Sequence, residues 1–505
     1  MNTDLHELEL LLRSRFPIVV IETHEELRVL ELFRRLTPQL GKAVLHWSAT
    51  EGLVWSAASP RLEIDNGNSH NAQHMEPDKV LKHIKGVRQG SIFILKDFHP
   101  YLDEPLNVRL LREIALAHEA NQHTVVLLSP SIKLPEELKR LCARFALSLP
   151  TYEKLRSLVE AEARTWSKEI GGKVKADKQA LEQLVRNLQG LTTEDARRLA
   201  RSAIYNDGAI THSDIAEVQQ AKYRLLDMDG LLSFEYETAQ FGEVGGLHNL
   251  KHWLGSRKKP FIEPDNRYGL KPPKGILLLG VQGGGKSLAA KAVAGAWGVP
   301  LLRLDFAALY NKFFGETERN LRDSLKMAEV MAPCVLWIDE IEKGIATDTH
   351  DSGTSRRVLG TLLTWMAERR DRVFLVATAN DIQSLPPELI RKGRMDEIFF
   401  VDLPETTERE EIFRIHVEKR KQPVSNFNFA ELARAAAGFS GSEIEQAVVA
   451  GLYAALADDR PLDNALILHE IGKTQPLSVV MAEKLRALRE WAANRTVPAQ
   501  GERSA

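Results

Sequence analysis

The sequence predicts an α/β protein of two tandem modules, each a parallel sheet flanked by helices and followed by a helical lid. Three observations predict it. Apolar runs of strand length, such as ILLL (276–279) and TVVLLS (124–129), alternate with segments of helical periodicity. Glycines cluster where one such run meets an alanine-rich helical stretch, in GVQGGGKS (280–287). The two halves also echo each other. SIKLPEELKR (131–140) resembles IQSLPPELIR (382–391), and Pro135 to Pro386 spans the same interval as Arg140 to Arg391.

Bulk composition bounds the rest. The chain has 505 residues, 44% hydrophobic and 27% charged, which fits a globular protein with sizeable cores. A net charge of −2 argues against nucleic acid or an anionic membrane as the principal partner. Cys142 and Cys334 are the two cysteines; far apart and outside any metal spacing, they fit a reducing compartment. The opening MNTDLHELELLLRSRF carries acids throughout and lacks an apolar core, so no signal peptide is expected. No stretch approaches the ~18 apolar residues that span a bilayer. The expected location is cytoplasmic: the bacterial cytosol, or the plastid stroma if the protein is organellar.

In chain order, the first module (1–152) begins with FPIVVIETHEEL (16–27), a strand that ends in acids. SIFILKD (91–97) and TVVLLS (124–129) supply further buried strands. RFALSLP (144–150) echoes EIFFVDLP (397–404), and GLTTEDARRLARSAI echoes GFSGSEIEQAVVAGL, placing a helical lid over 153–220. The strands repeat but the chemistry does not. THEE stands where a phosphate cradle would be, Lys96-Asp97 where the second half has Asp339-Glu340, and Ser129 where it has Asn380. Glu25 and Glu26 would repel phosphate, so this module is expected neither to hydrolyse nor to bind nucleotide. The alternative is two unrelated α/β domains, which different strand orders would reveal. Residues 221–240 read as a linker.

The second module holds the chemistry. A glycine-rich turn between a buried strand and a helix directs backbone N–H groups onto phosphate at an anion-favouring helix start. Gly280, Val281, Gln282, Gly283, Gly284, Gly285, Lys286, Ser287 and Leu288 form this loop. Lys286 would reach the β- and γ-phosphates of ATP, and Ser287 would offer a hydroxyl to Mg²⁺. CVLWIDE (334–340) is an apolar strand ending in two acids. Asp339 suits Mg²⁺, directly or through water, and Glu340 suits the general base that takes a proton from attacking water. VFLVATAN (373–380) ends in Asn380, which could hold that water. Arg391 and Arg394 flank a glycine. At a helix end they would serve the dipole; reaching a neighbour's phosphate, they would act as arginine fingers.

In this order, cradle, acid pair, asparagine and paired arginines resemble an AAA+ ATPase of the AAA branch, with an ATPase domain over 241–404, a lid and C-terminal helix over 405–494, and a disordered tail at 495–505. The resemblance implies P-loop AAA+ modules and a homo-oligomeric ring, a hexamer, needing ATP and Mg²⁺. By it FGEVGGL (241–247) lines the adenine pocket through Glu243 and Val244. KFFGE (312–316) resembles a pore loop in which Lys312, Phe313, Phe314 and Gly315 grip a polypeptide; the plain reading makes the two phenylalanines core residues. ATDTHDSGTS (346–355) takes the place of a second pore loop. GFSGSEIEQAV resembles the lid segment, and Ser440-x-x-Glu443 is independently a capping box. One departure is in the cradle: the family has Pro-Pro where this chain has Val281-Gln282. The whole arrangement is similar to a plastid-genome hypothetical-frame (Ycf46-like) AAA family with cyanobacterial and bacterial members, which supplies no substrate.

HEANQH (118–123) is the nearest approach to a zinc-protease motif, but its histidines are one residue too far apart for one helix face; a plain surface position is expected. Two functions remain: remodelling or threading of an unidentified protein partner, or a nucleotide-dependent assembly switch.

Overall fold

The computed structural model describes residues 3–55, 74–225, 232–263, 269–306, 317–345, 352–369, 371–382, 385–389, 391 and 393–501. The chain divides into two compact units: 1–150 with 192–194, and 151–191 with 195–505.

In the first unit six strands form one sheet: β1 (Ile18–Glu22), β2 (Ala43–Ser48), β3 (Gly52–Trp55), β4 (Ser91–Lys96), β5 (Thr124–Ser129) and β6 (Cys142–Phe145). Their order is β3-β2-β4-β5-β1-β6, parallel except for the β2–β3 pair. The central strands are buried on both faces, as their unbroken apolar runs require. In the second unit, β7 (Lys175–Ala176) and β8 (Ala209–Ile210) make a small ladder within a helical region.

The main sheet there has β9 (Leu232–Glu235), β10 (Gly275–Gly280), β11 (Leu301–Leu304), β12 (Cys334–Ile338), β13 (Val373–Ala379), β14 (Glu397–Val401) and β15 (Val497–Pro498), in the order β15-β14-β10-β13-β12-β11-β9. Removing the edge additions leaves β14-β10-β13-β12-β11, which matches β6-β1-β5-β4-β2 strand for strand. The two halves are therefore copies of one α/β module, not unrelated domains.

Register brings the chemistry together. Leu279 pairs with Ala379, and Ile338 with Ala377. The cradle after β10, the acids after β12 and Asn380 after β13 thus emerge at the same carboxyl edge, where open α/β sheets bind ligands. The helix Lys286–Trp297 leaves the cradle with Ala289, Ala290, Ala292 and Ala294 buried against the sheet.

Three regions differ from expectation. The linker does not stay a linker: Leu232–Glu235 becomes β9, antiparallel to β11, and covers that sheet edge. The tail is not disordered through 495–501. Val497 and Pro498 add β15 to β14, Ala499 is fully buried, and the Gln500 amide donates to Asp402 O at 2.9 Å. A sheet edge left open would expose backbone groups, and the tail satisfies them. The segment 153–220, expected as the first module's lid, falls in the second unit except for 192–194. Gly190, at φ +82°, lets the backbone pass Val330 O so closely that a Cβ would clash at 2.4 Å. Buried Lys222 donates to Gln189 O (2.6 Å) and Val330 O (2.8 Å).

Candidate nucleotide site

A cavity of about 410 Å³ opens at the carboxyl edge of the second sheet. Its floor is the loop 282–288. Lys286 is buried, with Nζ donating to Gly280 O (3.0 Å) and Val281 O (2.7 Å). Burial pushes its ammonium down to about 8, against the nearby carboxylates of Glu342, Asp339 and Glu340. A buried cation that donates to two loop carbonyls is poised to exchange them for phosphate oxygens.

Ser287 Oγ lies 3.4 Å from Asp339 Oδ1, so a hydroxyl and a carboxylate converge as Mg²⁺ requires. Thr378, which the motif reading missed, organises the acid pair. Its hydroxyl donates to Asp339 Oδ1 (2.6 Å) and accepts the Glu340 N–H (2.9 Å). Glu340 adopts φ +48°, a left-handed turn that costs a side-chain-bearing residue energy and recurs at functional sites. Its carboxylate accepts from Asn380 Nδ2 at 2.8 Å and pairs with Lys343.

Glu342 was also missed. It is buried and accepts the Asn380 N–H on Oε1 at 2.9 Å. Its Oε2 has no hydrogen-bond partner among the described residues, and burial pushes its carboxyl up.

The far end of the cavity has an apolar wall rimmed by polar residues. Val244 and Leu247 from the opening segment face Ile412 and Ile415 of the helix Thr406–Lys419. At Gly245 that helix comes so near that a Cβ would meet Ile412 Cγ1 at 2.5 Å. Glu243 lines the same end and closes a capping box with Gln240. His416 and Glu445 line it too. Burial lowers the His416 pKa, and Arg420 ties the pair by approaching His416 Nδ1 (3.2 Å) and Glu445 Oε1 (2.9 Å). Nothing in the motifs marked Ile412, Ile415 and His416, because a cavity wall on a helix reads as an ordinary helix face.

The lid closes on the loop through Ser440-Gly441-Ser442. The capping box forms as the spacing predicts, and Ser442 N–H donates to Gly283 O at 3.2 Å. Gly283, at φ +75°, would set a Cβ 2.2 Å from Ser442 Oγ; only glycine fits. An apolar wall, a buried lysine over a glycine cradle and a hydroxyl–carboxylate pair fit a nucleotide triphosphate with Mg²⁺.

The arginines expected to serve a neighbour's site lie outside this chain's own cavity. Arg391 is exposed, Arg394 donates to Glu388 O of its own chain, and neither lines the cavity. Residues 385–389 form a turn rather than the helix end expected there. The loop of Lys312, Phe313, Phe314 and Gly315 lies outside the described residues, as does most of 346–355.

In the first sheet the same edge is differently filled. Asp97 follows β4 at φ +50°, matching Glu340 in backbone. Before it stands Lys96, 3.0 Å from Glu26 and 3.6 Å from Glu51. Glu25 is buried and paired with Arg28 at 2.8 Å, and Arg28 also holds Asp4 at 2.6 Å. The charges here satisfy each other where a cradle would present N–H groups. His118 and His123 are not surface residues as expected but buried: His123 Nε2 meets Val87 O at 2.8 Å, its Nδ1 accepts Ser91 N–H at 3.3 Å, and His118 Nδ1 meets His123 O. Among the described residues no group of His, Cys, Asp and Glu could hold a metal by itself, and no helix is long and apolar enough to cross a membrane.

Sheet order, cradle, acid pair and lid together define an ATPase module of the AAA class. The family described as "ATPase family associated with various cellular activities (AAA)" matches residues 276–403. The N-terminal and second domains of SpoVK-like AAA ATPases match 4–147 and 153–229. A Ycf46 AAA domain-containing protein of Trieres chinensis is 34% identical over 494 residues, 97% of this chain and 96% of that protein. Its counterpart in Pyropia yezoensis is 35% identical over 492 residues, covering 96% and 97%. A proteasome-activating nucleotidase of Saccharolobus islandicus is 36% identical over 236 residues, 45% of this chain and 60% of that protein. The chain belongs to the Ycf46 family of AAA-domain proteins, and it is an ATPase.

Proposed function

We propose that this ATPase works as a ring, a hexamer by likeness to its class, in which each site is completed by Arg391 and Arg394 of the next copy. The observation that carries this is the arginine-free cavity: among the described residues lining it, none is an arginine, while Arg391 stands exposed. An arginine finger accelerates phosphoryl transfer about 10³- to 10⁵-fold.

Within one copy the roles divide by position. Lys286 leaves its loop carbonyls to bind the β- and γ-phosphates. Ser287 and Asp339 hold Mg²⁺, which when bound neutralises developing phosphate charge. Glu340 takes the proton of the attacking water, with Asn380 fixing both the carboxylate and the water. Val244, Ile412 and His416 receive the base.

Hydrolysis is coupled to remodelling or threading of a protein partner, gripped by Phe313. The relative named a proteasome-activating nucleotidase supports a protein as the substrate class. The first module, without a cradle, recruits the partner or stabilises the ring. The free cysteines support a reducing compartment, the bacterial cytosol or the plastid stroma.

The test mixes Arg391→Ala copies, intact at Lys286, with Lys286→Ala copies. Mixed rings should regain part of the ATPase activity that each variant lacks alone. No recovery at any ratio would refute the shared site. Phe313→Ala should abolish partner remodelling and keep basal hydrolysis; an unchanged output would favour the assembly switch.

A further inference from the structure

Val281 stands where the family's cradle has proline, and the structure gives it a task. Its neighbour Gln282 is exposed, but Val281 is buried. Its N–H extends the β10–β14 ladder past Gly280, donating to Val401 O at 3.2 Å, and its carbonyl accepts Gly284 N–H at 3.1 Å as well as Lys286. The side chain packs in a small apolar cluster of its own, with Leu403, Leu485 and Leu477. Two of these come from far along the chain. Leu485 lies on the helix Ala482–Ala492, and Leu477 opens the short helix Leu477–Val480 before it.

Polar contacts bind the same pieces. The Arg489 guanidinium grips the Asp402 carboxylate with distances of 2.8 to 3.0 Å, just after β14. Leu477 N–H donates to Glu443 Oε1 at 2.8 Å. The other oxygen of Glu443 accepts the Ser440 N–H at 2.7 Å, and two residues on, Ser442 holds Gly283 O. The phosphate loop is thus held at Val281 by the C-terminal segment and at Gly283 by the lid, and Glu443 joins the two holders.

A loop with three consecutive glycines has much conformational freedom to lose on binding. Fixing Val281 beforehand removes part of that cost. We propose that the C-terminal helix is a positioning element of the ATP site: through Leu477 and Leu485 on Val281, and Arg489 on Asp402, it keeps the phosphate loop in its binding form. Nucleotide affinity then depends on docking of this helix, and by reciprocity bound nucleotide tightens the helix. The proposal rests on the reading of 280–288 as the cradle.

The test measures binding of a fluorescent ADP to the full chain and its variants. Lys286→Ala is the control for the site and should lose binding; parental affinity there would refute the cradle itself. Leu485→Ala and Arg489→Ala should each raise the dissociation constant about fivefold to tenfold, with kcat at saturating ATP within about twofold. Arg489 is 44% exposed, so its removal leaves no cavity and its variant keeps the fold if Leu485→Ala does not. Val281→Ala with Leu485→Ala should cost less than the product of the two. In the parent, nucleotide should slow amide exchange in 482–492. With the control behaving as stated, unchanged affinity in both helix variants, multiplicative effects, or exchange indifferent to nucleotide would overturn the proposal.

Discussion

Asn380 Nδ2 lies 2.8 Å from Glu340 Oε1, across the carboxyl edge of neighbouring strands. The asparagine therefore holds the residue proposed as the base, in a turn whose left-handed backbone already places that carboxylate at the cavity. Glu340→Gln keeps an oxygen for this bond and removes the basicity, at the cost of the ion pair with Lys343. It should lower kcat about 10²- to 10⁴-fold while fluorescent nucleotide binds with near-parental affinity. Phosphate release at the parental rate would remove Glu340 from the role of base.

Glu342 acts one step back. Its buried Oε1 receives the Asn380 backbone, so it sets where the asparagine side chain begins. A buried hydrogen bond to a charged group contributes about 1.5–3 kcal/mol. Glu342→Ala should lower kcat by about tenfold or more and change KM less than about threefold. Glu342→Gln, with an amide oxygen for the same N–H, should recover most of the loss. Equal damage from both variants would show that the charge matters rather than the anchor.

The cradle, acid pair and Asn380 were legible because each is a short pattern at the end of an apolar strand, where residue type and spacing alone define the chemistry. The duplication was legible too, since the matched strand ends fix the same topology. Thr378 and Glu342 were not: inside VFLVATAN and DEIEK they look like a strand hydroxyl and a helix-start acid, and only register brings them onto Asp339 and Asn380. The tail misled because TVPAQGERSA has the composition of a disordered end; its order comes from the sheet edge at β14, far upstream in the chain. Val281 looked like a flaw in the cradle for the same reason, its partners Leu477 and Leu485 being invisible locally.

The first module's edge makes a prediction about stoichiometry. Glu26 and Lys96 pair where the second module has its loop and Asp339, and the sequence there, THEE, has no glycine cradle. Full-length Lys286→Ala should therefore bind no fluorescent ATP at concentrations that saturate the parent, and the parent should bind one nucleotide per chain. A second, Lys286-independent site would refute the silence of the first module.

His123 gives the first unit a defined response to acid. Burial lowers its pKa from the ordinary 6.5, with Lys42 and His118 adding to the shift and the Val87 carbonyl opposing it. The neutral ring is required, since Nδ1 accepts the Ser91 N–H and a protonated Nδ1 cannot. Because the folded value lies below the unfolded one, the unfolded chain takes up the proton first. The stabilisation is complete above about pH 6.5 and is lost as pH falls through the folded value. Amide exchange over the start of β4, corrected for its intrinsic pH dependence, should accelerate as pH falls below about 6.5. His123→Asn should flatten that dependence, because no group at that position then titrates. A parental profile in the variant would assign the response to another residue.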